Sequence, residues 1–136
     1  MLTLIDSAQS VGSLHTDVGK LGVDGISIGT QKNLLAFYGL GFLYIRRELA
    51  EALTPVFVAR YGMDLGPEAH ETAIGNGGLD FKPGALRFEL SNYNYMGLAA
   101  VEPSLALIHA LGVSQIESHV RGLAARLASH SVSIED

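Results

Sequence analysis

The sequence contains no cysteine and no tryptophan, only 4 prolines in 136 residues, and 7% aromatic residues. Without cysteine there is no disulfide framework and no thiolate metal site. Charge is scarce too: 17% of residues are Asp, Glu, Lys or Arg, below the usual quarter. The 9 cationic residues are scattered and outnumbered by 14 acidic ones, for a net charge of −5. That balance excludes the basic footprint of a nucleic-acid binder. No apolar run approaches the roughly 20 residues of a membrane helix. Met1-Leu2-Thr3-Leu4-Ile5 has neither the basic start nor the long apolar stretch of a secretory leader. A soluble, cytoplasmic protein is the expectation. The 5 histidines stand apart from one another, so no metal site is expected.

What is present suits about one domain. A 48% hydrophobic content is enough for a core. The low charge predicts more apolar surface than a free small domain needs, covered by a partner chain or by further parts of the same fold. Leu2-Thr3-Leu4-Ile5, ending at Asp6, reads as a buried, parallel-type strand. A domain rarely opens on a central strand, so a preceding segment is expected. Asp17 caps a short helix that Gly22 ends. Gly25–Gly29 and Gly41–Ile45 read as further strands. A short helix runs from Arg46 to Leu53, stopped by Thr54-Pro55. Residues 60–85 are rich in Gly and Pro without a period and read as a long irregular segment. Tyr95 to Leu111 is helical, with Leu98, Val101, Leu105 and Ile108 on one face and a kink or restart expected at Pro103. Ser114 and Glu117 form a capping box for a last helix whose stripe is Ile116, Val120, Leu123 and Leu127. Stripes of this kind usually face a core. Strands alternating with short helices predict an α/β layer with a mostly parallel sheet.

Three features could carry chemistry. Asp6 ends a strand, and ligands of open α/β sheets bind at the carboxyl ends of strands; its bland reading is a turn or cap aspartate. Gln9, three positions on, projects toward the same crevice. Lys32 follows the next strand in Gly29-Thr30-Gln31-Lys32, where partial desolvation favours the neutral amine that makes Schiff bases. The bland reading is a surface lysine. Gly39-Leu40-Gly41 is a weak phosphate-loop signal, lacking the third glycine and the following helix. An Asp and a Lys at two strand ends of one layer together fit one cofactor, pyridoxal phosphate. Its aldehyde takes a lysine, and its pyridinium nitrogen pairs with a carboxylate.

These residues carry a resemblance. Asp6-Ser7-Ala8-Gln9-Ser10-Val11-Gly12 resembles the D-x-A-Q-S-x-G stretch of class V aminotransferase-like, fold-type I enzymes dependent on pyridoxal phosphate. The segment from Gly29 to Lys32, followed by Gly39-Leu40-Gly41-Phe42-Leu43, resembles that family's lysine signature, and Arg87-Phe88-Glu89-Leu90-Ser91-Asn92 its R-F-E-x-G-T element. The match spans essentially the whole chain and reads as the middle of a longer family member. The resemblance implies that residues 1–104 are part of the large, cofactor-binding domain and 105–136 the start of a small C-terminal domain. It implies Lys32 as the Schiff-base lysine and proton shuttle, Asp6 at the ring nitrogen, and Gln9 by the phenolic oxygen. Gln31 would lie on the phosphate with Thr30, and Asn92 would stand where the family's threonine reaches the neighbouring subunit's cofactor in a homodimer. The departures are Gly25 in place of a larger apolar residue, Ser91 for glycine, Asn92 for threonine, and Gln31 where cysteine desulfurases often carry histidine. Gln31 points to the alanine–glyoxylate and serine–pyruvate aminotransferase side. The alternatives are a cysteine desulfurase, selenocysteine lyase or epimerase of the same superfamily, a non-catalytic association domain, and a nucleotide-binding domain resting on Gly39-x-Gly41.

Overall fold

The computed structural model describes residues 1–66, 79–90 and 92–132. Among them are three strands, β1 (Leu4–Asp6), β2 (Gly25–Gly29) and β3 (Gly41–Ile45), four α-helices, and short 3-10 turns at Arg60–Gly62 and Gly84–Phe88. The helices are α1 (Val18–Leu21), α2 (Arg47–Ala52), α3 (Tyr95–Leu111) and α4 (Val113–Val132). The strands pair in the order β1-β2-β3. The Thr3 carbonyl, just before β1, accepts from the N–H groups of Asp24 and Gly25 at the start of β2. The two strands therefore begin together and run parallel, with α1 in the crossover. β3 runs antiparallel to β2: Arg46 N–H donates to the Asp24 carbonyl at one end, and Thr30 N–H to the Leu40 carbonyl at the other. The α/β character with flanking helices is as the sequence led us to expect. β1 differs from its buried reading. It lies at an edge of this sheet, and Leu2 and Leu4 are 60% and 71% exposed.

The chain divides into two compact units, and each strand contributes to both. The first comprises residues 1–5, 22–27 and 43–93. Its core holds Val23, Ile26, Ala50 and Met63. The buried Asp24 carboxylate organises the strand starts, accepting from Thr3 N–H at 2.8 Å and pairing with Arg46 at 2.6 Å. Arg87 donates to the carbonyls of Glu51, Leu53 and Lys82. One planar side chain thus satisfies carbonyls at the end of α2, where a helix leaves such groups without partners. Within residues 60–85, Gly62 to Asp64 pair antiparallel with Asp80 to Lys82, so part of that segment is regular. Runs of two or three residues carry no period for a sequence reading to find. Residues 67–78 of it lie outside the described residues.

The second unit comprises residues 6–21, 28–42 and 94–136. Leu34, Val101 and Ile108 are its buried apolar side chains, and Ser7 and Thr30 its buried polar ones. Asp17 Oδ1 accepts from the N–H groups of Gly19 and Lys20, capping α1. α3 runs unbroken through Pro103. It meets α4 at 76°. No single helix among the described residues is long and apolar enough to cross a membrane. The last helix opens two residues earlier than the capping box implies, at Val113, with Gly112 O accepting from Gln115 and Ile116. Glu117 instead accepts from His15 N–H and pairs with Arg121. The expected stripes are only partly core. Val101 and Ile108 are buried, but Leu98, Leu105, Val120, Leu123 and Leu127 are exposed. Helical spacing selects a common face, and only part of that face is buried among the described residues.

Candidate functional site

Because β1 and β2 are parallel, the residues that follow them leave the sheet at the same edge. Asp6 is the last residue of β1; Thr30, Gln31 and Lys32 follow β2 directly. All of them, with Gln9, belong to the second unit.

The segment after β1 folds into two successive turns. Asp6 Oδ1 accepts from Ala8 N–H at 3.0 Å. The Ser7 carbonyl accepts from Ser10 and Val11, and the Ser10 carbonyl from Ser13 and Leu14. Gln9 rides on the first turn and is exposed, as is Asp6. Gly12 closes the pair of turns with φ +99°, and a Cβ there would lie 2.6 Å from the Asn33 carbonyl oxygen. Only glycine combines that backbone angle with so close an approach.

The segment after β2 is an eleven-residue loop pinned from several sides. Thr30 closes it: its N–H donates to the Leu40 carbonyl, and its hydroxyl lies 2.8 Å from the Phe37 carbonyl and 3.0 Å from that of Leu40. Thr30 has no exposed surface. Its hydroxyl faces its own loop. Gln31 is half-buried, with its side-chain amide folded over Gly29. Lys32 is exposed. Its carbonyl accepts from Leu35 N–H at 2.9 Å. The desolvation expected of this lysine is therefore not supplied by the residues described. Asn33 Nδ2 donates to the Gln9 carbonyl and to Ser13 Oγ, the latter at 2.6 Å. Leu34 is buried beneath. Farther along, Ser104 Oγ of α3 lies 2.9 Å from the Leu35 carbonyl, and Asn94 Nδ2 donates to that of Tyr38. Asn94 is also the cap of α3, its Oδ1 accepting from Gly97 N–H.

The structure thus brings the Asp6–Gln9 turns and the Thr30–Lys32 loop into direct hydrogen-bonded contact. Asn92 belongs to the first unit, where its Oδ1 accepts from Tyr61 O–H at 2.8 Å, beside the tilted pair of Tyr61 and Tyr93 rings. Asn33, Asn94 and Ser104 were not foreseen as parts of the site. An isolated polar residue in a loop or helix carries no sequence signal for the carbonyl it will meet. The one available clue was asparagine just before an apolar helix, a common cap.

Comparison with known proteins identifies the family and the fold. The family model "Aminotransferase class-V" matches residues 1–135. The chain is 34% identical over 124 residues to an uncharacterized aminotransferase, YcbU, of Bacillus subtilis, covering 91% of this chain and 31% of that protein. It superposes on the apo structure of a cysteine desulfurase from Thermococcus onnurineus with TM-score 0.77 and 24% identity, covering 98% of this chain and 32% of the other. A structure of a C-DES mutant, with glycine covalently linked to the PLP cofactor, aligns with TM-score 0.68 and 24% identity, over 87% of this chain and 28% of that one. The chain spans about a third of the length of these relatives. A matching family model over nearly the whole chain, on a fold of the same class, shows that the chain belongs to the class-V aminotransferase family.

Proposed function

We propose that this chain carries the lysine half of a pyridoxal-phosphate active site that acts on an amino acid, by transamination. One observation carries the reading: Asp6, Gln9, Gln31 and Lys32 stand on two segments that leave parallel neighbouring strands at one edge and are joined by the Asn33 amide. The donor set fits the cofactor. It offers a primary amine for the aldehyde, a carboxylate for the ring nitrogen, and two amides for the phenolic oxygen and the phosphate. When bound, the cofactor supplies an electron sink for bond breaking at the substrate Cα. The chain's own residues do the rest. Lys32 anchors the cofactor through its amine and moves the Cα proton. Asp6 keeps the ring nitrogen protonated, because an adjacent negative charge raises its pKa. Gln9 and Gln31 donate hydrogen bonds that fix the ring's orientation. Thr30 braces the loop from beneath.

The exposure of Lys32 accords with a site completed by further protein, and we propose a cytoplasmic homodimer in which Asn92 reaches the partner's cofactor. Within it, residues 1–104 belong to the large domain and 105–136 to the small one. The test is to add pyridoxal phosphate to the purified protein, reduce with borohydride and map the label by mass spectrometry. Near one equivalent on Lys32, lost in Lys32→Ala, is the expected result. Even labelling of Lys20, Lys32 and Lys82 would refute it. A second reading, cysteine desulfuration, draws on the Thermococcus likeness. Sulfide release from cysteine without keto-acid formation from alanine or serine would favour it.

A further inference from the structure

We propose that Asn33 is a positioning residue that sets Lys32 against the Asp6–Gln9 turns. The proposal rests on the reading of Lys32 as the cofactor lysine. Lys32 has a long, flexible side chain and is exposed. Among the described residues no hydrogen bond or ion pair orients its ammonium group, so its placement has to come from the backbone. Asn33 is the next residue, and it touches the facing turns twice. Its side chain donates to the Gln9 carbonyl and to Ser13 Oγ, one proton of the amide for each. Its own carbonyl lies where a Cβ on Gly12 would intrude, 2.6 Å away. The facing turns are rigid in their own right, closed by Ser7 and Ser10 carbonyls and capped at the start by Asp6. Fixing Asn33 therefore fixes the Lys32 backbone relative to Asp6 and Gln9 together, the three groups that must meet one small ring. Displacement of a reacting group by about 1 Å can cost on the order of 100-fold in rate.

Neither Asn33 bond is needed to form the loop. Thr30 closes the loop by itself through Phe37 and Leu40, and Ser104 and Asn94 hold its far side. The Asn33 amide has the separate effect of joining this loop to the other half of the lysine edge.

The experiment measures the rate of borohydride-trapped pyridoxal phosphate incorporation at Lys32, relative to Lys20 and Lys82, in the purified protein and its variants. Amide hydrogen exchange of residues 7–14 and 30–36 is followed in parallel without cofactor. Asn33→Ala is expected to lower the Lys32 rate about tenfold and to raise exchange in both segments together. Asn33→Asp keeps the shape but puts an acceptor against the Gln9 carbonyl, and is expected to behave like Asn33→Ala. Arg87→Lys, destabilising but in the first unit, controls for general loosening and is expected to leave the Lys32 preference intact. Equal Lys32 rates in the parent protein and both Asn33 variants would overturn the proposal alone. So would a loss that Arg87→Lys reproduces at matched thermal stability. If the unmutated protein shows no Lys32 preference, the cofactor-lysine reading fails first and the positioning role falls with it.

Discussion

Replacing Gly12 by alanine tests the contact between the two halves of the lysine edge most directly. Two costs add. The first is conformational: φ +99° is a region that L side chains rarely adopt, and holding one there costs about 1–3 kcal/mol. The second is steric. The new methyl would lie 2.6 Å from the Asn33 carbonyl oxygen and 3.1 Å from Leu34 Cδ2. The oxygen is backbone and cannot swing aside, so overpacking of about 1–3 kcal/mol follows. Alanine also restricts the unfolded chain, which returns about 0.4–1 kcal/mol. The net expectation is a loss of ~1–6 kcal/mol, centred near ~3 kcal/mol. Gly22→Ala is the matched control, because Gly22 has φ +62° but open space around its Cβ position. Only the conformational cost applies there, so the loss should be ~1 kcal/mol. The assay is urea unfolding followed by circular dichroism, with the midpoint compared at constant slope. If Gly12→Ala costs no more than Gly22→Ala, the Asn33 loop does not press on the turns as described and the steric half of the reasoning is wrong.

Other outcomes follow from the same geometry. Thr30→Val removes the hydroxyl of a fully buried side chain from the part-buried Phe37 and Leu40 carbonyls; it should cost about 1–2 kcal/mol, read as faster amide exchange at Ala36 and an earlier unfolding midpoint. Arg87→Lys cannot reach three carbonyls from one planar group and should lower stability by about 1–2 kcal/mol in the same unfolding assay. The Glu117 carboxyl is held below the usual glutamate range by the His15 N–H bond and then by Arg121. A depressed folded-state pKa gives stability that is present above about pH 4.3, the ordinary glutamate value, and is lost as pH falls through the folded value. Stability measured from pH 6 to pH 3 should therefore fall less steeply in Glu117→Gln than in the parent protein.

The strand ends and the two candidate-site segments that follow them were legible because their signals are local. Asp6 and Lys32 each follow a short apolar run, and the turn chemistry of Asp17 and Gly22 reads from single residues. The exposure of Lys32 was not legible, since burial depends on what lies opposite in space. The same holds for Leu123 and Leu127, whose spacing marks a face without saying whether anything packs on it. The direction of β3 was hidden for another reason: eleven residues without helical period between two strands fit either a tight return or an irregular crossover. Asn33 and Ser104 escaped notice because each works through a backbone carbonyl far away in sequence, and every residue type offers one.

The bonds that hold the lysine loop also order events in time. Gln9 lies 24 positions before Asn33, Asn94 lies 56 positions after Tyr38, and Ser104 lies 69 after Leu35. Closures over such distances are slow steps in folding, because chain entropy is lost before the contact repays it. During synthesis, at about 5–20 residues per second, Ser104 emerges roughly 3–14 s after Leu35. Lys32 thus sits on an incompletely bonded loop for that interval. The far side of the loop gains its Ser104 bond only when a helix made much later arrives, so the full set of restraints on the loop completes late in folding.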